Sequence, residues 1–261
     1  MLPPADRGGE LQKALAIDST NWAILQEIGL VHYRAADYAK AAAVWEQARG
    51  ASPDNVRVLA NLSAAYHMQS RYEDAASTLQ RAIEIQPSAQ LYSNLGTLRF
   101  FQGRYSDSIG PFEKAVELSP NRYLYWGNLA DSYRWSPGNR PKAIQTYQRA
   151  ITILREQLAQ KPEDVELRSR LAVYQVKSGD LAATKASLAS LERDKLSQAA
   201  VLFRLAVANE VVGARDKAMT MIERALQAGY AETEVRAEPE LVNLRNDLRY
   251  HKIITALPAP G

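Results

Sequence analysis

Residues able to do chemistry are sparse in this chain. The three histidines, His32, His67 and His251, lie in separate stretches. None has a second histidine three or four residues away, the spacing by which one helix face holds a metal ion. His32 reads as a packing residue. There is no cysteine, which excludes disulfides, thiolate metal sites and thiol nucleophiles. No H-E-x-x-H, G-x-S-x-G, EF-hand or glycine-rich phosphate loop occurs. Gly8-Gly9 is too short for one and lacks a preceding strand. The carboxylates Glu113/Glu117 and Glu163/Asp164/Glu166 fall at exposed or capping places. The residues therefore argue against an enzyme and imply no cofactor and no metal. What does recur is polar: Asn61, Asn94 and Asn128, then Arg170 and Arg204, with Glu27 before them. An amide donates and accepts, which suits the unpaired N–H and C=O groups of an extended peptide. A guanidinium forks onto a carboxylate.

The elements that must position these residues repeat. Alignment on Ala36, Ser70, Gly103, Gly138, Gly179 and Gly213 gives spacings of 34, 33, 35, 41 and 34. Eight or nine places earlier stands a large aliphatic: Ile28, Leu62, Leu95, Leu129, Leu171 or Leu205. A small residue follows it each time: Gly29, Ser63, Gly96, Ala130, Ala172, Ala206. After the marker come Ala41, Ala75, Ser108, Ala143, Thr184 and Ala218, each followed four places on by a bulky residue, Trp45, Leu79, Phe112, Tyr147, Leu188 or Ile222. Three further on stand Ala48, Ala82, Ala115, Ala150, Leu191 and Ala225. Apolar spacings of three and four are helical, so each unit is two helices divided at the marker. Small residues let antiparallel helices approach, and Pro53, Pro87 and Pro120 stop the second helix. Each pair leaves an apolar flank for the next to cover. The implied fold is all-α, a right-handed superhelical α-solenoid of stacked helix-turn-helix repeats.

These residues carry a family resemblance. Leu25-x2-Ile28-Gly29-x2-His32, Ala41-x3-Trp45 and Pro53 form one unit. Tyr92-x2-Leu95-Gly96, Ser108-x3-Phe112 and Pro120 form another, and Trp126-x2-Leu129-Ala130-x2-Tyr133 opens the next. The chain thus resembles a tetratricopeptide repeat (TPR) protein over residues 22–228. The last two units fit less well: Arg168 replaces the aromatic and no terminal proline follows.

The organisation follows. Residues 1–21 form an N-terminal segment with a half-repeat or capping helix; a half-repeat would mean that the chain begins inside a longer array. Residues 22–164 hold repeats 1–4, the fourth with a one-residue-longer turn and a second helix extended by about seven residues to Gln160. That unit is read as a seam between two blocks. Residues 165–230 hold repeats 5–6. Residues 231–261 form capping helices and tail, with Leu241, Leu244, Leu248, Ile253, Ile254 and Leu257 covering the open end. The tail and long fourth unit resemble the C-terminal TPR region of bacterial multidomain signalling proteins.

The resemblance implies where work is done. In the family, the residue before the aliphatic core position faces a concave groove built by first helices. That places Asn61, Asn94, Asn128, Arg170 and Arg204 there, with Tyr33, Phe100, Phe101 and Arg134 as neighbours and Arg57 flanking. Asparagine at this place also serves to bond the neighbouring repeat, and both roles stay open. The lysines of chaperone-gripping TPR domains are missing: Gln26, Ala60, Gln90 and Leu124 stand in their places. The expectation is a non-catalytic scaffold for a partner protein, peptide or helix. The alternative is the sensory or docking arm of a larger bacterial kinase, cyclase or transcription regulator. Self-association is open. A surplus of +3 without a basic block argues against nucleic acid, and no apolar run is long enough for membrane insertion. A cytoplasmic site is favoured, with a periplasmic one open for a piece of a membrane-anchored protein.

Overall fold

The computed structural model describes residues 4–192 and 194–256, all helix and turn. The helices are α1 (Pro4–Ile17), α2 (Trp22–Arg34), α3 (Tyr38–Ala51), α4 (Val56–Met68), α5 (Tyr72–Ile85), α6 (Ala89–Phe101) and α7 (Tyr105–Leu118). Then come α8 (Tyr123–Trp135), α9 (Arg140–Gln160), α10 (Val165–Ser178), α11 (Leu181–Leu191), α12 (Ala199–Val211) and α13 (Arg215–Gln227). The end of the chain forms α14 (Glu232–Ala237), a 3₁₀ turn (Pro239–Leu241), α15 (Val242–Arg245) and α16 (Leu248–Ala256). Among the described residues no helix is long and apolar enough to cross a membrane.

Local chemistry sets the helix ends. Asn21, Asp37, Asn55, Ser88, Asp164 and Asp180 each accept from a backbone N–H of the first turn that follows. All six marker residues have positive φ, between 58° at Ala36 and 92° at Gly179. At Ala36, Ser70, Gly103, Gly179 and Gly213 the next N–H reaches back five residues, for example Arg71 N–H to the Tyr66 carbonyl at 2.9 Å. That is the left-handed C-terminal turn of a helix, and it explains why small residues recur there. Ser70 adopts φ 59° with a Cβ in place. Ser70→Gly is therefore expected to raise stability by about 1 kcal/mol, and Gly103→Ala to lower it by a similar amount, in thermal melts.

Packing follows the sequence register. The eighteen second-helix positions, from Ala41, Trp45 and Ala48 to Ala218, Ile222 and Ala225, are buried. The Trp45 indole fills the space a Cβ on Gly29 would need, and its Nε1–H donates to the Gln26 carbonyl at 3.2 Å. A Cβ on Gly96 would stand 2.9 Å from the Phe112 ring. Elsewhere the small residue is Ser63, whose hydroxyl donates to the Ala75 carbonyl at 2.9 Å.

The chain divides into two compact units at Pro120/Asn121. The first unit is α1 to α7, with α2/α3, α4/α5 and α6/α7 as packed pairs and α1 against α2. The second begins with α8/α9 and continues through α10/α11 and α12/α13. In it, α9 runs 21 residues against 14 in α3, α5 and α7, and ends at Gln160. Ile153 and Leu154, in its last two turns, are buried. At the seam read near residue 164, α9 packs along α10.

The end of the chain departs from a simple lid. Val235, Leu241 and Leu244 are fully buried, but Leu248 is 77% exposed, because α16 turns Tyr250 inward instead. Leu257 lies outside the described residues.

Candidate interaction site

In the first unit, the face built by α4 and α6 carries a pocket of about 160 Å³ between the two helices. Ala60, Ala64 and His67 line it from α4, and Asn94 and Thr97 from α6. The alanines make the notch, since longer side chains would fill it. Asn94 Oδ1 accepts from Gln90 Nε2 of its own helix at 2.8 Å. Asn61 is half-buried on α4. Among the described residues neither asparagine side chain bonds the neighbouring pair, so the amide N–H groups remain for other acceptors.

The aromatic residues expected to face the groove pack against residues of their own helix pairs. Tyr33 packs edge-on against Tyr38 at 5.2 Å and lies 5.8 Å from the Trp45 ring. Phe100 packs against Tyr105 at 4.9 Å. Both are half-buried, shaping the turn between helices of a pair. Phe101 is 41% exposed and touches His67. Arg57 is exposed, 3.6 Å from Glu27. His67 was missed in the sequence, although its spacing from Ala60 and Ala64 puts all three on one helix face.

In the second unit the first-helix face of α8, α10 and α12 is partly occupied by the chain's own end. Glu240 forms a two-pronged ion pair with Arg134 through Nε and Nη2, and both side chains are nearly buried. Arg134 also donates to the Lys177 carbonyl at 3.1 Å. Lys177 Nζ lies 2.7 Å from Asp131 and 3.8 Å from Glu238. Burial opposes the charges of Arg134 and Lys177, yet the neighbouring carboxylates hold both pKa values above their ordinary ranges. Burial raises that of Glu238. Arg134 is thus not open to a partner. A cation read as a ligand hook is instead the anchor of residues 238–240.

Beside this network lies a pocket of about 320 Å³, lined by Asn128, Arg170, Tyr174 and Arg204 and closed on one side by Tyr230, Glu234 and Glu238. Tyr230 stacks on Phe203 at 4.3 Å, and burial, with the nearby Glu234 carboxylate, pushes its hydroxyl pKa up. Arg204 is already committed, donating to Glu166 at 2.6 Å and to Ser169 at 3.0 Å. Burial, then the nearby Arg170 charge, lowers its pKa. Arg170 stacks loosely on Tyr123, 6.0 Å from the ring centre. Asp131, Tyr174 and Lys177 were missed in the sequence; each lies three, four or seven residues beyond Asn128 or Arg170, on the same helix faces. Among the described residues no group of three histidine, aspartate or glutamate side chains is placed to hold a metal.

Helix pairs of this length, joined by left-handed turns and locked by a small residue under a bulky one, define a helical-repeat protein. The tetratricopeptide repeat family profile matches residues 27–90 and 93–165, over half of the sequence, and the chain belongs to that family. No curated protein matches it. Among solved structures it is similar to a tetratricopeptide repeat protein from Parabacteroides merdae ATCC 43184, with 16% identity and TM-score 0.65 over 94% of this chain and 93% of that one. PilW, a widely conserved type IV pilus biogenesis factor, has 23% identity and TM-score 0.55, covering 82% and 97%. The Cut9–Hcn1 hetero-tetramer of the APC/C has 13% identity and TM-score 0.61, covering 94% and 44%. At these identities the likeness is one of fold. The family is in general a scaffold for protein–protein interaction.

Proposed function

We propose that this chain is a non-catalytic scaffold whose first-helix face holds an extended segment or helix of a partner protein. The observation that carries this reading is in the first unit. There Asn61 and Asn94 present amide N–H groups that, among the described residues, no neighbouring pair uses, and Asn94 borders an apolar notch. Amides beside a small apolar recess suit a peptide, whose backbone needs both donors and acceptors and whose side chains need a recess. Tyr33 and Phe100 shape the edge, and Arg57 flanks it.

The test is a titration against a partner isolated by crosslinking from native lysate. Asn61→Ala with Asn94→Ala should weaken it about tenfold or more while leaving the melting temperature nearly unchanged, since neither amide holds the fold together. Unaltered affinity in calorimetry would remove the asparagines from the reading.

A further inference from the structure

The pocket of the second unit differs from an open groove. Residues 238–240 cover the ends of α8 and α10 through Glu240 on Arg134 and Glu238 near Lys177. Tyr230, stacked on Phe203, forms another part of the wall. A segment running along the face would have to displace this wall, together with the fully buried Val235 and Leu241 that hold it down. What remains is a recess of about 320 Å³, the size that takes a small molecule or one terminal residue rather than a passing chain.

Its polar groups are unevenly satisfied. Glu166 is the carboxylate paired with Arg204. Arg170 makes no ion pair among the described residues, while the lining as a whole sets three cations, Arg170, Lys177 and Arg204, against three carboxylates, Asp131, Glu234 and Glu238. Tyr174 is 5% exposed, and its hydroxyl has no hydrogen-bond partner among the described residues. The Asn128 side chain has none either. A guanidinium, a phenol O–H and an amide NH₂ therefore border one recess with donors to spare, beside the apolar Val173, Phe203 and Val207. Farther along the wall, Asp131, Glu234 and Glu238 would repel a dianion.

We propose that this recess binds a single carboxylate group with a small apolar body, held by Arg170, Tyr174 and Asn128. The source is a free organic acid or a peptide's C-terminal residue; both present the same chemistry, a monoanion next to a few carbon atoms. The site does not depend on what the first unit holds.

Calorimetric titration of the full chain tests it, with hexanoate in one arm and N-acetyl-Ala-Ala-Leu in the other. Saturable one-to-one binding at about 1 mM or tighter is expected in at least one arm. Hexanoate alone identifies a free acid, and tighter binding of the tripeptide identifies a chain terminus. Arg170→Gln should weaken binding about tenfold and Tyr174→Phe several-fold. Tyr174→Phe keeps the ring that packs over Gly127, so it stays informative if the arginine variant loses its fold by circular dichroism. The proposal is overturned by no binding in either arm, by equal binding of hexanol or the tripeptide amide, by unchanged affinity in folded variants, or by phosphate outcompeting the carboxylate.

Discussion

Gly29→Ala is expected to destabilise the first unit by about 2 kcal/mol, although alanine is the better helix former. The added methyl has nowhere to go: it would overlap the Trp45 indole, which is 1% exposed and tied to the Gln26 carbonyl at 3.2 Å. Either α2 and α3 separate, losing contacts along their packed pair, or the indole leaves its rotamer and its hydrogen bond. Trp45→Ala alone should cost about 3–5 kcal/mol through the cavity it leaves. The two changes should be far from additive, because the smaller side chain vacates the space that the methyl needs. Gly50→Ala is the matched control. It lies in the same helix as Trp45, a Cβ there meets nothing within 4 Å, and it should stabilise by up to about 1 kcal/mol. Urea unfolding of the four variants separates close packing from helix propensity. Additive losses, or a destabilising Gly50→Ala, would sink the account.

How much was legible follows from the same distinction. Positions fixed by spacing along one chain segment were readable. Gly29 under Trp45, Gly96 under Phe112 and the six turn residues recur because the geometry of a helix pair recurs. The extended α9 was readable too, since Pro162 marks where the helix must already have ended. The candidate site was legible only in part. Asn94 borders the recess of the first unit, and Asn128 and Arg170 border that of the second. What each side chain meets was not readable, because ion-pair partners carry no periodicity. Arg134 finds Glu240 across 106 residues, and Arg204 finds Glu166 across 38. Glu238-Pro239-Glu240 looks like any acidic helix start until the fold brings it to Lys177 and Arg134.

That pairing carries the other large expected effect. Arg134→Ala, or Glu240→Ala, should cost the second unit about 3–5 kcal/mol, because each leaves an opposite charge buried without its counterion. The Arg134 and Glu240 side chains are 11% and 8% exposed, so neither can turn to water without lifting residues 238–241 from α12. The attraction itself is not the source of the loss. Arg134→Met with Glu240→Met removes both charges and keeps the bulk, and it should recover most of the stability. The surface pair Arg81–Asp54, 54% and 66% exposed, supplies the contrast. Breaking it should cost less than about 1 kcal/mol, and high salt should shrink that further. The buried pair should respond little to salt. Chemical denaturation of the single and double variants at low and high salt measures all of this at once. A double variant as unstable as the singles would mean that Glu240 holds the chain's end by charge rather than by the apolar residues beside it.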